Sequence, residues 1–448
     1  MYRRTFGYCV FLLFVPIIVL AQEAEQTFTL SQGIRHALLH SREYQVAQKD
    51  VEVADEKIKE ARAAMLPRLS LDTNYTYNGD LPTIVLDSES FSALRGAPPG
   101  SSDSKTIELQ MGAVHNIQGQ VRVSQPLFTW GQLSNTYKQA VIGKRAAEYA
   151  LAAVHFNIEL KVQQAFYGVL LAESFVKVSE QSLAQVEKRY KLAAQQKAIG
   201  STTRLEVIRA NVQVVNSRSQ LIQARQQHKL AVENFKLILG LPLDQPIELS
   251  GSLQAEVTEV ELAQAIATAQ NHRPEIQQLK LQELMSEAQV KVAKSGNKPK
   301  VSSFGSYLFN DSESQSFDTS WSVGVSVSFP IFDGFATRSR VNQARVKQDQ
   351  VRTHKDQLID SIKLETKSAV FDLETAKELI AAQEGIVEQA AEGLRIANVQ
   401  HEAGMITGVE LTDVELSHTQ AQVNRLQAVH DYIIAVARYK RAIGSRYE

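Results

Sequence analysis

The sequence predicts a mainly α-helical protein built from two tandem copies of one unit, each with a β-hairpin and long coiled-coil helices. Three observations predict this fold class. The two halves align with each other, long stretches without proline carry a heptad pattern, and short segments near the prolines alternate between apolar and polar residues. We divide the 448 residues into an N-terminal segment at 1–21, a first repeat at 22–250 and a second repeat at 251–448.

The N-terminal segment has the pattern of a secretory signal peptide. Arg3 and Arg4 precede an apolar run at 10–20, which ends in the small-residue cleavage pattern Val19-Leu20-Ala21. A membrane anchor is the alternative, but the run is shorter than the roughly 20 apolar residues that span a bilayer. We therefore expect cleavage after Ala21. Because no later segment is a long uninterrupted apolar run, an exported chain of this kind could cross a membrane only as a barrel.

The composition excludes several classes of function. Lys and Arg total 48 against 49 Asp and Glu, a net charge of -1, so no overall basic field attracts nucleic acid. The single cysteine, Cys9, lies in the segment that we expect to be removed. The exported chain would then have no thiol for disulfides, for zinc or iron–sulfur ligation, or for a cysteine nucleophile.

The two repeats align with a single gap. An offset of 232 residues pairs Pro67 with Pro299, and an offset of 204 pairs Pro126 with Pro330. The 28 additional residues of the first copy all lie between Pro67 and Pro126. The ungapped match over the long segments that follow indicates that their lengths are mechanically fixed.

Each repeat is expected to begin with a helix and to end with a long helical hairpin. No proline occurs between Pro126 and Pro242 or after Pro330, and the apolar spacing there alternates between 4 and 3, as in coiled coils. The hairpin turns are expected at Gly200 and Gly404. The expected helices are 30–66, 132–199 and 203–239 in the first repeat, and 261–296, 336–403 and 407–443 in the second.

Between the helices, apolar and polar side chains alternate with a period of two. The clearest segment runs from Trp321 to Phe329, with polar loops expected at 79–115 and 310–320. A soluble sandwich would alternate in the same way, but export and aromatic residues at both strand ends favour a transmembrane barrel. Four strands cannot close a barrel, so several chains must share one. The expected strands are 68–78, 116–128, 300–309 and 320–330.

These features together resemble the TolC family of outer-membrane channel-tunnel proteins. The resemblance is carried by the strand exits Gln125-Pro126-Leu127-Phe128 and Phe329-Pro330-Ile331-Phe332, by the hairpin tips and by the repeat starts at 30–47 and 262–279. It implies a homotrimer with a twelve-stranded transmembrane β-barrel in the outer membrane of a Gram-negative bacterium, continued by a periplasmic α-helical barrel. Pro126 and Pro330 would mark the junction between the two barrels. The first copy departs from the family's usual Asn-Pro start, having Ser41-Arg42 where the second copy has Arg273-Pro274, and we expect this departure to alter only a local bend.

The resemblance also implies a function and partners. The chain would be a passive duct of a tripartite efflux or type I secretion system, working with a periplasmic adaptor (membrane fusion protein) and an inner-membrane pump of the RND or ABC type. The adaptor would dock at the hairpin tips, at Gly200 and Gly404, which would form the periplasmic entrance. Drugs, metals and proteins remain alternative cargoes, because a passive pore leaves selection to the pump.

The tips contain residues that the resemblance connects with gating. Glu206 matches an acidic latch partner, and Arg209 lies three residues further on the same helical face. His401 stands where a latch tyrosine can occur, and Ile406 where a latch arginine can occur, so the usual latch is not preserved. Ordinary solvated helix ends are the alternative interpretation. The hypothetical entrance network consists of Glu206, Arg209, His401, Glu410 and Asp413, the last two matching acidic positions that face the pore.

Other functions have less support. The sequence has no phosphate-binding glycine-rich loop, no G-x-S-x-G and no H-E-x-x-H, so we expect neither an enzyme nor a cofactor. His36 and His40 have a spacing that zinc ligands can have on a helix, but no third ligand is evident and two surface histidines are the preferred interpretation. The alternative function is a non-transporting periplasmic scaffold, with the helices as coiled-coil arms and the strands as a soluble sheet.

Overall fold

A computed structural model describes residues 26–86, 107–110, 112–312 and 315–445, so the expected signal peptide, with Cys9, lies outside the described residues. The chain divides into two compact units. We call them the tip unit, which contains both glycine turns, and the sheet unit, which contains a four-stranded sheet. With the gaps given above, the tip unit consists of 26–42, 157–259 and 371–439, and the sheet unit of 43–156, 260–370 and 440–445.

Each repeat contains two helices, then strands of the four-stranded sheet, then two long helices. In the first repeat the elements are β1 (Gln26–Phe28), α1 (Leu30–His40), α2 (Arg42–Ala63), β2 (Arg68–Tyr77), β3 (Thr83–Leu86), β4 (Ile107–Gln110), β5 (His115–Phe128), α3 (Gln132–Ala198), α4 (Arg204–Leu239) and β6 (Ile247–Leu249). In the second they are α5 (Leu262–His272), α6 (Pro274–Lys294), a 3₁₀ turn (Ser295–Asn297), β7 (Lys300–Ser312), β8 (Gln315–Ser328), α7 (Ala336–Glu402) and α8 (Gly408–Ile443).

The strands beside the prolines form one antiparallel sheet in the order β2-β5-β7-β8. The alternation predicted from the sequence is confirmed in most cross-strand rows, which are apolar on one face and polar on the other, although Phe304 and Leu308 lie on the polar face. One apolar row consists of Leu71, Val121, Tyr307 and Trp321, and the polar row beside it of Ser70, Arg122, Ser306 and Ser322. The apolar row is largely exposed, with Trp321 76% accessible. A single chain therefore presents an apolar sheet face to its surroundings.

The expected loop at 310–320 is wrong. The backbone ladder continues past the predicted strand ends, with Asn310 opposite Asp318, and leaves only a short connection between β7 and β8. Polar residues do not stop such a ladder, because backbone hydrogen bonds hold it together. Two strand pairs are absent from the sequence expectations: β1 pairs with β6 in parallel, and β3 pairs with β4 within the expected loop at 79–115.

The helices expected at 30–66 and 261–296 are each two helices. Ser41 and Arg273 interrupt them in extended conformations, with ψ of 127° and 123°. Pro274 explains the second break, because a residue before proline avoids the helical region. In the first repeat, which has no proline there, Gly240 at the end of α4 lies against the break, and a Cβ on it would be 2.8 Å from the His40 carbonyl oxygen. The departure from the family pattern at Ser41 therefore leaves the bend in place.

The core of the tip unit forms around Phe235, which is fully buried between Phe28 and Phe166. Both neighbouring rings meet it edge to face, with centroids 6.4 and 5.9 Å away. The segment 250–259, which we call the linker, is held in the same unit by the buried Tyr432. Its hydroxyl accepts from a backbone N–H of the linker at 2.8 Å and donates to a linker carbonyl at 3.2 Å.

A buried charge network holds the break between α5 and α6 in the sheet unit. The Arg273 side chain is only 4% exposed and donates to Glu275 at 2.9 Å and to Glu365 at 2.5 Å, and Arg441 contacts the same two carboxylates. Burial would raise the pKa of the Glu275 carboxyl, but the hydrogen bonds and charge of Arg273, aided by Arg441, hold it below its ordinary value. The carboxylate is thus kept ionised inside the unit.

Candidate functional site

The two hairpin tips have the same backbone design. Gly200 and Gly404 adopt left-handed φ values of 78° and 73°, which favour glycine. Each ends its long helix with paired backbone hydrogen bonds that reach back across the turn, such as Ser201 N–H to the Gln196 carbonyl at 2.8 Å. The structure thus places the hairpin turns at the glycines singled out in the sequence. After each turn a threonine, Thr203 or Thr407, caps the returning helix.

Glu410 belongs to the cap of α8. Its Oε2 accepts a hydrogen bond from the Thr407 N–H at 2.7 Å and from the Thr407 hydroxyl at 3.0 Å, while the Thr407 Oγ1 accepts from the Glu410 N–H. This is a reciprocal capping box. These bonds, first that from the backbone N–H, lower the pKa of the Glu410 carboxyl. Glu410 therefore fixes the entry of its own helix.

The other four residues of the hypothetical network line one cleft of about 520 Å³ between the tips. Glu206 and Arg209 come from α4, His401 from the end of α7 and Asp413 from α8, although the two tips are about 200 residues apart. The Arg209 guanidinium is 3.9 Å from the Glu206 carboxylate and exposed, so this ion pair is weak.

Glu206 of the first hairpin lies beside the start of α8 in the second hairpin. A Cβ placed on Gly408 would lie 3.5 Å from either carboxylate oxygen of Glu206. Gly408 is the first residue of α8, where unpaired N–H groups and the helix dipole favour negative charge. Glu206 and Glu410 thus occupy the same place after their threonine caps but act differently. Glu410 closes its own cap, whereas Glu206 faces the neighbouring helix.

The structure adds a pair that the sequence analysis missed. Arg189 of α3 donates to the Glu415 carboxylate of α8 at 2.6 Å, and both side chains are 15% exposed. Burial raises the pKa of the Glu415 carboxyl, against the opposing charges of Arg189 and His401. Arg189 lies within the long stretch that the sequence predicts as a coiled-coil helix, so a charged residue in that stretch was the available signal. Its partner, 226 residues away, could not be read from spacing.

The junctions between strand and helix share a strained turn. Two consecutive residues have left-handed φ values in each, Trp130 and Gly131 before α3, and Gly334 and Phe335 before α7. A bulky aromatic residue rarely adopts this conformation, so each junction holds one against a steric cost. The junction prolines differ in role: Pro126 lies within β5 beside a register shift, whereas Pro330 follows the end of β8.

The other candidate ligands are held by the backbone. His36 Nδ1 is 3.2 Å from the Leu239 carbonyl oxygen, His40 Nδ1 is 3.1 Å from the His36 carbonyl oxygen, and the two rings stack. Burial, and then the charge of His40, lower the pKa of His36. Across the described ranges, no group of three His, Cys, Asp or Glu side chains could hold a metal ion. None of the helices in the described part of the chain is both long and apolar enough to cross a membrane.

Comparison with known proteins gives a consistent result. The family model for outer membrane efflux proteins matches residues 33–241 and 265–445, which cover both repeats. The probable outer membrane lipoprotein SilC of Salmonella typhimurium is 23% identical over 87% of this chain and 79% of its own length. The alkaline protease secretion protein AprF of Pseudomonas aeruginosa is 22% identical over 96% and 87%.

Solved structures share the fold. The VceC outer membrane protein of Vibrio cholerae superposes with a TM-score of 0.74 at 16% identity, covering 94% of this chain and 97% of its own. The CmeC outer membrane channel of Campylobacter jejuni gives 0.76 at 14% identity, covering 93% and 85%. With the duplicated repeats, the four-stranded sheet and the paired tips, the family match confirms the resemblance inferred from the sequence. This chain belongs to the outer membrane efflux protein family.

Proposed function

We propose that this chain is the outer-membrane duct of a tripartite efflux or type I secretion system, assembled as a homotrimer with a periplasmic adaptor and an inner-membrane pump. The family match over both repeats supports the outer-membrane location and export role. The relatives include proteins named for cation efflux and for protease secretion, so either cargo class is compatible with this fold. Cargo selection would lie with the pump.

The exposed apolar rows of the sheet support a shared barrel. In a single chain the strands β2 and β8 form the edges of the four-stranded sheet, and Trp321 on β8 is largely exposed. Neighbouring copies would pair with these edges, and three chains would supply twelve strands. The apolar face would then meet lipid and the polar face would meet water.

The cleft between the tips carries the proposal for the entrance. It brings Glu206, Arg209, His401 and Asp413 together from two hairpins, which is the arrangement that polar links across a gate require. Opening would separate the Glu206 carboxylate from the start of α8 and expose the acidic groups to the pore. Acids repeated around a trimer would attract cations to the constriction.

The tips also present apolar side chains for an adaptor. Ile199, before the first glycine, is 80% exposed, and Met405, after the second, is exposed as well. The hairpin turns themselves do not require a large apolar side chain at either position. We propose that the turns at Gly200 and Gly404 dock into the adaptor through these residues.

Conductance in planar bilayers tests the entrance proposal. The double variant Glu206→Gln/Asp413→Asn removes two acids of the cleft, and Glu388→Gln removes an exposed acid of α7 outside it. We expect the double variant to raise single-channel conductance about twofold or more and to reduce cation preference, because the links and the charge are both lost. Glu388→Gln is expected to change neither. If the double variant matches the unmodified channel in both properties, the entrance proposal is wrong.

Membrane fractionation separates the duct from the scaffold alternative. A duct requires detergent for solubility and migrates as an oligomer that dissociates on heating. A scaffold would be released by osmotic shock as a detergent-free soluble protein, which would contradict the proposal.

A further inference from the structure

The sheet unit contains a basic cleft of about 320 Å³ where the strands give way to helices. It lies between the end of α6, the start of β7 and the first turns of α7. Three cations and three amide side chains line it, namely Lys300, Arg340, Lys347, Gln132, Gln289 and Gln343. The remaining described lining is small or apolar, and it includes no carboxylate.

The cations of this cleft are not used to hold the fold. Among the described residues, no carboxylate lies within ion-pair distance of Lys300, Arg340 or Lys347. By contrast Arg352, further along α7, pairs with Glu283 at 3.0 Å. Three uncompensated cations close together repel each other, and this repulsion costs stability unless an anion relieves it. The cleft therefore has the charge of an anion site.

The first repeat lacks most of this charge. The positions aligned with Arg340 and Lys347 are Thr136 and Gly143. Both copies nevertheless form the same strand-to-helix junction and the same long helix. The two cations are therefore not required by the shared architecture, which points to a ligand that only the second copy binds.

The surroundings of the cleft identify the kind of anion. The segment just before α7 carries Ile331, 90% exposed, and the exposed rings of Phe332 and Phe335. Trp130, also exposed, lies two residues before Gln132 of the lining. Exposed aromatic and aliphatic side chains beside cations are typical of the headgroup level of a membrane, where the rings contact acyl chains and the cations contact phosphates.

We propose that this cleft binds the headgroup of an anionic phospholipid of the inner leaflet, of the phosphatidylglycerol class. The proposal rests on the proposed function, because only an outer-membrane channel with periplasmic helices places this junction at the inner leaflet. The three cations bind the phosphate, and the amides donate to its oxygens and to the glycerol hydroxyls. A zwitterionic headgroup is disfavoured, because its ammonium group meets no carboxylate among the described lining residues.

Tryptophan fluorescence provides the test. The chain has two tryptophans, so Trp321→Phe leaves Trp130 as the only reporter beside the cleft, and Trp130→Phe leaves Trp321 on β8 as an internal control. The full chain is reconstituted into vesicles of phosphatidylcholine with increasing fractions of phosphatidylglycerol, one lipid brominated on its acyl chains at a time. Quenching then reports which lipid lies next to each tryptophan.

We expect Trp130 to prefer phosphatidylglycerol by about threefold or more and Trp321 to show no preference. Lys300→Gln/Arg340→Gln/Lys347→Gln is expected to remove the preference, raising the half-saturating fraction of phosphatidylglycerol about tenfold. The charge-matched control, Lys229→Gln/Lys367→Gln/Lys377→Gln, changes three exposed cations of the long helices and is expected to retain it. The proposal would be overturned if both lipids quenched Trp130 equally. It would also be overturned if the cleft variant and the control variant lost the preference for phosphatidylglycerol to the same extent.

Two further arms separate the sources of failure. Inorganic phosphate that abolishes the preference at millimolar concentration would indicate a soluble phosphate ligand and overturn the lipid assignment. Conductance is measured on the same protein in phosphatidylcholine alone. Channels that conduct without any lipid preference would refute only the lipid site, whereas a chain that forms no channel would refute the proposed function and the lipid site with it.

Discussion

The buried pair between Arg189 and Glu415 is expected to lock the two hairpins of one chain together at the tips. The single variants Arg189→Leu and Glu415→Leu each replace one partner of this pair by an uncharged residue. Each single variant leaves the other charge buried without its partner, at a site where both side chains are 15% exposed. The double variant removes both charges and leaves an apolar contact instead.

The magnitude follows from the burial and the distance. Removing one partner of a buried ion pair costs about 3–5 kcal/mol, and partial exposure of this pair places it at the lower end, about 3 kcal/mol. Since about 1.4 kcal/mol corresponds to a factor of ten, local opening of the tips would become roughly 100-fold more frequent. The double variant is expected to lose much less, because no buried charge is left unpaired.

Hydrogen exchange of peptides covering the tips measures this opening. The control is Arg218→Leu, which breaks a more exposed pair within the first hairpin, between Arg218 of α4 and Glu187 of α3 at 3.1 Å. We expect less than about 1 kcal/mol there, because solvent screens an exposed pair. If the single variants at the buried pair accelerate exchange no more than Arg218→Leu does, or if the double variant shows the sum of the single effects, the lock does not exist.

Three other substitutions test the units separately. Arg273→Met leaves Glu275 and Glu365 with Arg441 as their remaining partner, so the expected cost is about 2 kcal/mol, below that of a fully unpaired buried charge. Because the pKa of Glu275 is lowered, the stability that its carboxylate contributes is present above the ordinary glutamate pKa and is lost as pH falls through the lowered value. Thermal melting between pH 7 and 3 is expected to show a smaller acid dependence in the variant. Gly119→Ala places a Cβ 1.9 Å from the Phe309 ring and is expected to weaken heat-resistant oligomers in gel assays, with Phe309→Ala restoring them. Tyr432→Phe is expected to accelerate hydrogen exchange in the linker, since two hydrogen bonds of about 1 kcal/mol each are lost.

The long helices and the sheet could be predicted because their signals are local and repeated. A proline-free stretch with heptad spacing permits little other than a long helix, and alternation from Trp321 onward indicates which residues share a sheet face. Because the pattern occurs twice, each copy supports the assignment in the other. The turns at Gly200 and Gly404 follow from the same logic, since glycine at the end of a helical pattern has few other uses.

The remaining features depend on contacts between distant segments. The break at Ser41 has no proline to mark it and is visible only when Gly240 is placed against His40. The opposite roles of Glu206 and Glu410 cannot be inferred either, because both follow a threonine by three residues and both could close a capping box. Only the packing of the two tips shows which of them does so.

Sequence differences between the two repeats place opposite charges where the two hairpin tips meet. Under the offset of 204 residues, Arg209 aligns with Asp413, so two equivalent positions carry opposite charges and line the same cleft. If the copies were identical, two like charges would lie together in this cleft and would repel each other. Glu415 aligns with Asn211, so only one copy supplies the acid that Arg189 binds. The duplication gives two similar hairpins, and the differences between the copies let Arg189 of one hairpin bind Glu415 of the other.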